Sequence, residues 1–215
     1  MSRNEAEDLL NRTVTAYRAF TSYSDDGFVE VSTLKDASRH RTNFETLFAS
    51  PRLFRFKFES PHPHPPLAHL VMTAICGFDG SSAYLWMSAY GGGTAKFDVF
   101  DDVAMAIASA TGISSGSAHT IGQLLLAGYD DDGLASLKRP VLASEEQVDG
   151  KDCVEVRGTI AHANSGVSLF IDRETFLVRK VTSDLGVFTS HEFRRNIHVN
   201  EPIDHSKFAQ PDGET

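Results

Sequence analysis

The stretch with the strongest catalytic look is Gly112-Ile113-Ser114-Ser115-Gly116, which carries the G-x-S-x-G spacing of a nucleophile elbow. That device needs a strand to deliver the serine to a tight turn that opens a helix, so that the hydroxyl stands free beside an imidazole. Here the residues ahead of Gly112 have a helical period, and a Gly- and Ser-rich connector between two helices is the better account. A hydrolase using Ser114, with an imidazole such as His119 beside it, is therefore the least favoured of three functional readings. His62 and His64 lie two apart on a proline-rich loop with His69 nearby, and imidazoles so placed could share a transition metal. Few carboxylates accompany them, and a solvated loop is expected instead. Asp130, Asp131 and Asp132 before Gly133 lack the alternating oxygens and the distant Glu of a calcium loop. The glycines at 91 to 93 ahead of Thr94 and Lys96 lack Walker spacing. Asn11-Arg12-Thr13 forms a glycosylation triplet inside a predicted helix. No catalytic residue, no metal and no cofactor is expected.

The elements around these candidates follow from periodicity. Ser2 and Glu5 have capping-box spacing, and Ala6, Leu9, Leu10, Val14, Tyr17 and Phe20 recur on one helical face, which predicts a helix over residues 3 to 20. Asp25, Asp26 and Gly27 stop it, and strands follow from Phe28 to Leu34. Thr42, Phe44, Thr46 and Phe48 then alternate with Arg41, Asn43 and Glu45, as Phe54, Phe56 and Phe58 do with Arg55, Lys57 and Glu59. Ser50 and Pro51 turn the one into the other, so the two are neighbouring antiparallel strands with one apolar and one wet face. A strand from Leu67 to Phe78, the turn at Asp79-Gly80, and a strand through Tyr84, Leu85, Trp86 and Met87 come next. Between about residues 97 and 128 a helical period returns, with Val99, Phe100, Val103, Ala104 and Ile107 as one stripe and Ile121, Leu124 and Leu125 as a second. Strands resume at Cys153–Ile160, Val167–Asp172, Phe176–Thr182 and Val187–Arg194, about ten in all, and a tail packs through Phe208.

Composition narrows the partners. A surplus of 29 Asp and Glu over 20 Lys and Arg gives a net charge of -9, a field that repels a phosphate backbone, so nucleic acid is not an expected partner. No apolar run reaches the roughly 18 residues of a spanning helix, and the N-terminus lacks the parts of a signal peptide. Either the chain is cytoplasmic or a leader has been trimmed ahead of Met1. Cys76 and Cys153 fall in predicted strands, where buried thiols are ordinary, while two cysteines of an exported chain can also pair. Fifteen Phe point to a thick core or a wide apolar lining.

In order and spacing, several segments together resemble the bacterial lipoprotein-carrier superfamily of the LolA and LolB type. They are Tyr23-Ser24-Asp25, Ser50-Pro51-Arg52-Leu53-Phe54-Arg55-Phe56, Phe78-Asp79-Gly80 leading to Trp86, Leu169-Phe170-Ile171-Asp172, Thr175-Phe176-Leu177-Val178-Arg179-Lys180, and Ile197-His198-Val199-Asn200 before Phe208. LolA-like carriers often have a basic residue immediately before the proline of the third strand, where this chain has Ser50. The resemblance implies a mainly β, α+β fold of one domain over residues 1–215, with a curved antiparallel sheet forming an unclosed barrel. An N-terminal helix and a helical insert at about 97–128 would cover it. It also implies a periplasmic or cell-envelope location after removal of a leader, and an apolar cavity that holds a lipid acyl chain or lipoprotein without catalysis. Phe44, Phe54, Phe56, Phe58 and Trp86 would line that cavity, with Leu10, Tyr17, Val103, Ile107, Leu124 and Leu125 as its lid. A monomer is expected. An interaction module with a filled core, docking a membrane-anchored protein partner, is the second reading.

Overall fold

The computed structural model describes residues 3–33, 39–92, 95–129, 134, 137–160, 165–184, 186 and 188–211. In chain order these form α1 (Arg3–Arg18), β1 (Ser22–Thr33), β2 (Arg39–Ala49), β3 (Leu53–Pro61), β4 (Val71–Phe78), β5 (Ala83–Met87), β6 (Lys96–Phe100), α2 (Val103–Thr111), α3 (Ser117–Leu125), β7 (Lys138–Val148), β8 (Lys151–Ile160), β9 (Ser165–Asp172), β10 (Val178–Asp184) and β11 (Phe188–Val199). The strands make one unclosed antiparallel sheet in the order β6-β5-β4-β3-β2-β1-β11-β10-β9-β8-β7, so β6 and β7 remain edges. By its backbone contacts the chain divides into two compact units. The first comprises Met1–Ala19, Glu30–Arg39 and Gln123–Arg195, and the second Phe20–Val29, His40–Gly122 and Asn196–Thr215.

In the second unit the alternation of β2 and β3 becomes rows of rings. Phe44 pairs with Phe58, Thr46 with Phe56 and Phe48 with Phe54, while β4 sets Ala74 beside Phe58 and Cys76 beside Phe56. Large residues thus sit against small ones, and Phe54, Phe56 and Phe58 are fully buried. The opposite face of β3 carries Arg55, Lys57 and Glu59, with Lys57 and Glu59 paired at 2.8 Å. Gly77 is required where β4 crosses β3, because a Cβ there would lie 2.3 Å from the Phe54 carbonyl oxygen. α2 starts at Asp102, whose carboxylate accepts from the Met105 N–H at 2.9 Å. It buries Val103, Ala106, Ile107 and Ala110 and packs on β4, β5 and β6. The tail is held through Phe208, fully buried, whose carbonyl accepts from the Tyr84 hydroxyl at 3.3 Å.

Several boundaries differ from the sequence reading. Val99 and Phe100 belong to strand β6 and not to a helical stripe, since the free edge of β5 offers backbone partners that place Tyr84 beside Val99 and Ala83 beside Phe100. β1 begins at Ser22 and runs through Asp25, Asp26 and Gly27, so α1 ends before those residues. β4 begins at Val71, because Pro65–Leu67 forms a 3-10 turn with proline fixing its φ angles. β10 begins at Val178, since Phe176 stands at φ 59° in the turn ahead of it. Among the described residues eleven strands result, where about ten are expected. The expected cap Ser2, together with Asp130, Asp131, Asp132, Gly133, Gly93 and Thr94, lies outside the described residues.

Candidate functional site

Within the first unit, α1 is an amphipathic helix whose inward face, Ala6, Leu10, Thr13 and Tyr17, is buried at i, i+4, i+7 and i+11. The Tyr17 hydroxyl accepts the Val178 N–H at 3.1 Å, and Arg18 donates to the Gln123 carbonyl at 2.9 Å. Along its next face, Glu5, Leu9 and Arg12 look onto the edge of β7 and β8. There the ladder breaks. Leu142 pairs with Val156 and Glu145 with Val154, leaving Ala143 and Ser144 opposite the single residue Glu155. This is a bulge of two residues against one, the usual way an edge strand bends away from its partner beside a site. Ser144 pins it by donating to Glu155 at 2.6 Å. Burial alone would raise the Glu155 pKa, but hydrogen bonds from Ser144, Ser168 and Arg157 outweigh that and hold the carboxyl below its usual range.

Between helix and bulge lies an open pocket of about 530 Å³, lined by Glu5, Leu9, Arg12, Leu142, Ala143, Ser144, Glu145, Val154, Arg173 and Phe176. That volume falls in the range of small-molecule sites. Its floor is aliphatic and aromatic and its rim is charged. Arg173 is ion-paired to Glu145, whereas the Arg12 guanidinium lies over the Phe176 ring, 4.0 Å from its centroid. Phe176 holds a left-handed φ of 59°, which is costly for a bulky residue. The turn that imposes it is built on Asp172, whose carboxylate accepts from the Glu174 and Thr175 N–H groups at 3.0 and 3.2 Å and pairs with Arg179 at 3.1 Å. The Phe176 N–H in turn donates to the Asp172 carbonyl at 2.9 Å. A strained aromatic thus lines the pocket and carries its cation.

The residues expected to line a cavity are distributed otherwise. Phe44, Phe54, Phe56 and Phe58 share one face of the second unit's strands, with Phe44 and Phe56 stacked at 5.3 Å and Phe56 and Phe58 tilted at 6.2 Å. Trp86 is not with them: it pairs with Ile75, which pairs with Lys57, and this register sets its half-buried indole on the other face. Val103 and Ile107 are buried on α2 of that unit. Leu10, Tyr17, Leu124 and Leu125 are buried residues of the first unit, and α1 meets the pocket through Leu9 instead. Leu9 and Arg12 stand out in the sequence only as neighbours of the inward stripe. No local signal brings Leu142, Val154, Arg173 and Phe176 to them.

Ser114 is fully buried in the connector between α2 and α3, with its hydroxyl donating to the Thr111 carbonyl at 3.3 Å. A helix precedes it, so no nucleophile elbow forms. His62 Nδ1 accepts the His64 N–H at 3.1 Å and its ring meets Tyr90 edge-on at 4.8 Å. Among the described residues no group of three His, Cys, Asp or Glu could hold a metal ion. Cys76 and Cys153 are free and buried, and burial pushes their thiols up to about 12 and about 11. No described helix is long and apolar enough to cross a membrane.

An unclosed antiparallel sheet accompanied by the helices α1, α2 and α3 is the architecture that the sequence resemblance implies. It is shared with LprF from Mycobacterium bovis (TM-score 0.56, 14% identity, covering 94% of this chain and 95% of that one). It is shared also with lipoprotein LppX from Mycobacterium tuberculosis (TM-score 0.53, 10% identity, 94% and 99% covered). A LolA superfamily protein from Nitrosomonas europaea matches at a TM-score of 0.42 and 9% identity, over 95% and 97% of the two chains. No protein-family model and no curated protein sequence matches the chain.

Proposed function

We propose that this chain acts as a single domain that binds a lipid acyl chain without catalysing a reaction on it, in the bacterial cell envelope after removal of a leader. The observation that carries this reading is the pocket between α1 and the β7 bulge, with Leu9, Leu142, Ala143, Val154 and Phe176 as its apolar wall. Each buried methylene contributes about 0.8 kcal/mol, so even a partly sheltered chain gains substantial affinity. The fold shared with LprF and LppX supports the reading. Phe44, Phe54, Phe56 and Phe58 are at most 2% exposed, and in this reading they are core and the ligand lies beside α1. Native mass spectrometry of protein purified without detergent is expected to show an adduct of lipid mass that Leu9→Asp removes. An unadducted mass across independent preparations, with no uptake of added fatty acid, would sink the proposal.

A second reading, an interaction module that docks a protein partner, is favoured by the free edge β6, where Val99 is 61% and Phe97 39% exposed. Apolar residues on an open strand edge are where an extended segment can add as a further strand. In this reading Val99→Lys abolishes partner capture in a pull-down and leaves lipid uptake intact.

A further inference from the structure

We propose that the pocket beside α1 selects a carboxylate-headed, single-chain amphiphile, a fatty-acid anion, with Arg12 as the residue that holds its head group. The inference rests on the lipid-binding reading and adds the head-group chemistry to it. Two cations line the pocket, and they are not equivalent. Arg173 is already neutralised by Glu145. Arg12 has no carboxylate partner among the described residues; its guanidinium carbon lies 4.0 Å from the centroid of the Phe176 ring. Stacking uses the face of a guanidinium and leaves its edge, with the N–H fork, to receive a planar carboxylate in two parallel hydrogen bonds. The other acid of the lining, Glu5, is seven residues from Arg12 on the same helix, about 10 Å along the axis, so its charge falls at the far end of the pocket. Leu9 lies between the two, and with Leu142, Val154 and Phe176 it offers the tail an apolar wall that begins where the cation ends.

The strained backbone at Phe176 fits this role. The φ of 59° sets the backbone from which the ring projects, and the ring in turn gives the Arg12 guanidinium a fixed partner 4.0 Å away. A fixed cation binds an anion with less loss of side-chain freedom than a mobile one.

The test uses the full chain, stripped of lipid, titrated with fluorescent cis-parinaric acid, with its methyl ester, and with a lysophospholipid as the phosphate-headed alternative. The acid is expected to bind at least about tenfold more tightly than the ester, the scale of a hydrogen bond to a charged group. Arg12→Gln should erase that difference by weakening the acid alone, Arg12→Lys should restore part of it, and Arg173→Gln should leave the preference for acid over ester in place. Circular dichroism melts of each variant report folding, and the ester affinity serves as an internal control for an intact pocket. Equal binding of acid and ester, unchanged by Arg12→Gln, overturns the head-group assignment and leaves the lipid-binding reading standing. Tighter binding of the lysophospholipid than of the acid overturns the carboxylate choice. Failure of all three probes to bind overturns both.

Discussion

The guanidinium of Arg12 lies 4.0 Å above the centre of the Phe176 ring, joining the second half of α1 to the turn between β9 and β10. At an exposed site such a contact contributes about 0.5–1 kcal/mol. A double-mutant cycle of Arg12→Gln and Phe176→Leu, followed by urea unfolding, is expected to give a coupling of that size. A coupling near zero would mean that the ring holds the pocket wall but not the cation.

Tyr17 anchors the same helix from below, its hydroxyl accepting the Val178 N–H in a buried setting. Tyr17→Phe keeps the ring and removes the acceptor, leaving the N–H without this partner, which costs about 1–3 kcal/mol. The urea midpoint should fall accordingly with an unchanged m-value. An unaltered midpoint would show that packing alone docks α1.

Acid should loosen the turn that holds Phe176. Burial raises the Asp172 value above its usual 3.8, but hydrogen bonds from Thr175, Glu174 and Arg179 more than reverse this, so its folded value is lowered. A lowered carboxylate adds stability that is complete above the unfolded value and disappears as pH falls through the folded one. Asp172→Asn should therefore destabilise by about 2 kcal/mol at neutral pH, the scale of hydrogen bonds to a charged group. The gap from wild type should be flat above pH 5 and narrow below 3.8. A gap that is constant down to pH 2 would assign the loss to shape and not to charge.

Both thiols should be inert in the folded protein. Each is buried, with values near 12 and 11, so little thiolate exists at neutral pH. Iodoacetamide at pH 8 is expected to add nothing to the native chain and two carbamidomethyl groups in denaturant, read by intact mass. Rapid native labelling of Cys153 would place it in a locally opening segment.

Much of the sheet is legible in the sequence because a strand half buried in a sheet must alternate. Phe54, Phe56 and Phe58 alternate with Arg55, Lys57 and Glu59, and the strand buries the first set and leaves the second partly exposed. The inward stripe of α1 is readable for the same reason, since Ala6, Leu10 and Tyr17 recur at the helical period. Val99 and Phe100 misled because two adjacent apolar residues fit either period, and the unpaired edge of β5 decided between them. Trp86 misled because β5 is apolar on both faces, so only its pairing with Ile75 reveals which way the indole points.

Local chemistry alone therefore determined the mainly β fold, the aromatic face of β2 and β3, the amphipathic helix, and the placing of Ser114 in a connector with no strand before it. Tertiary structure decided the pocket. Its walls come from α1, from a bulge on β7, from β8 and from a turn after β9, and the cation that marks it is placed by a ring 164 residues away in sequence, from Arg12 to Phe176. Periodicity reports which way a side chain faces within its own element. Which distant element it meets depends on sheet order, on the bulge between Leu142 and Glu145 and on the φ of Phe176, and these are fixed only when the whole chain has packed.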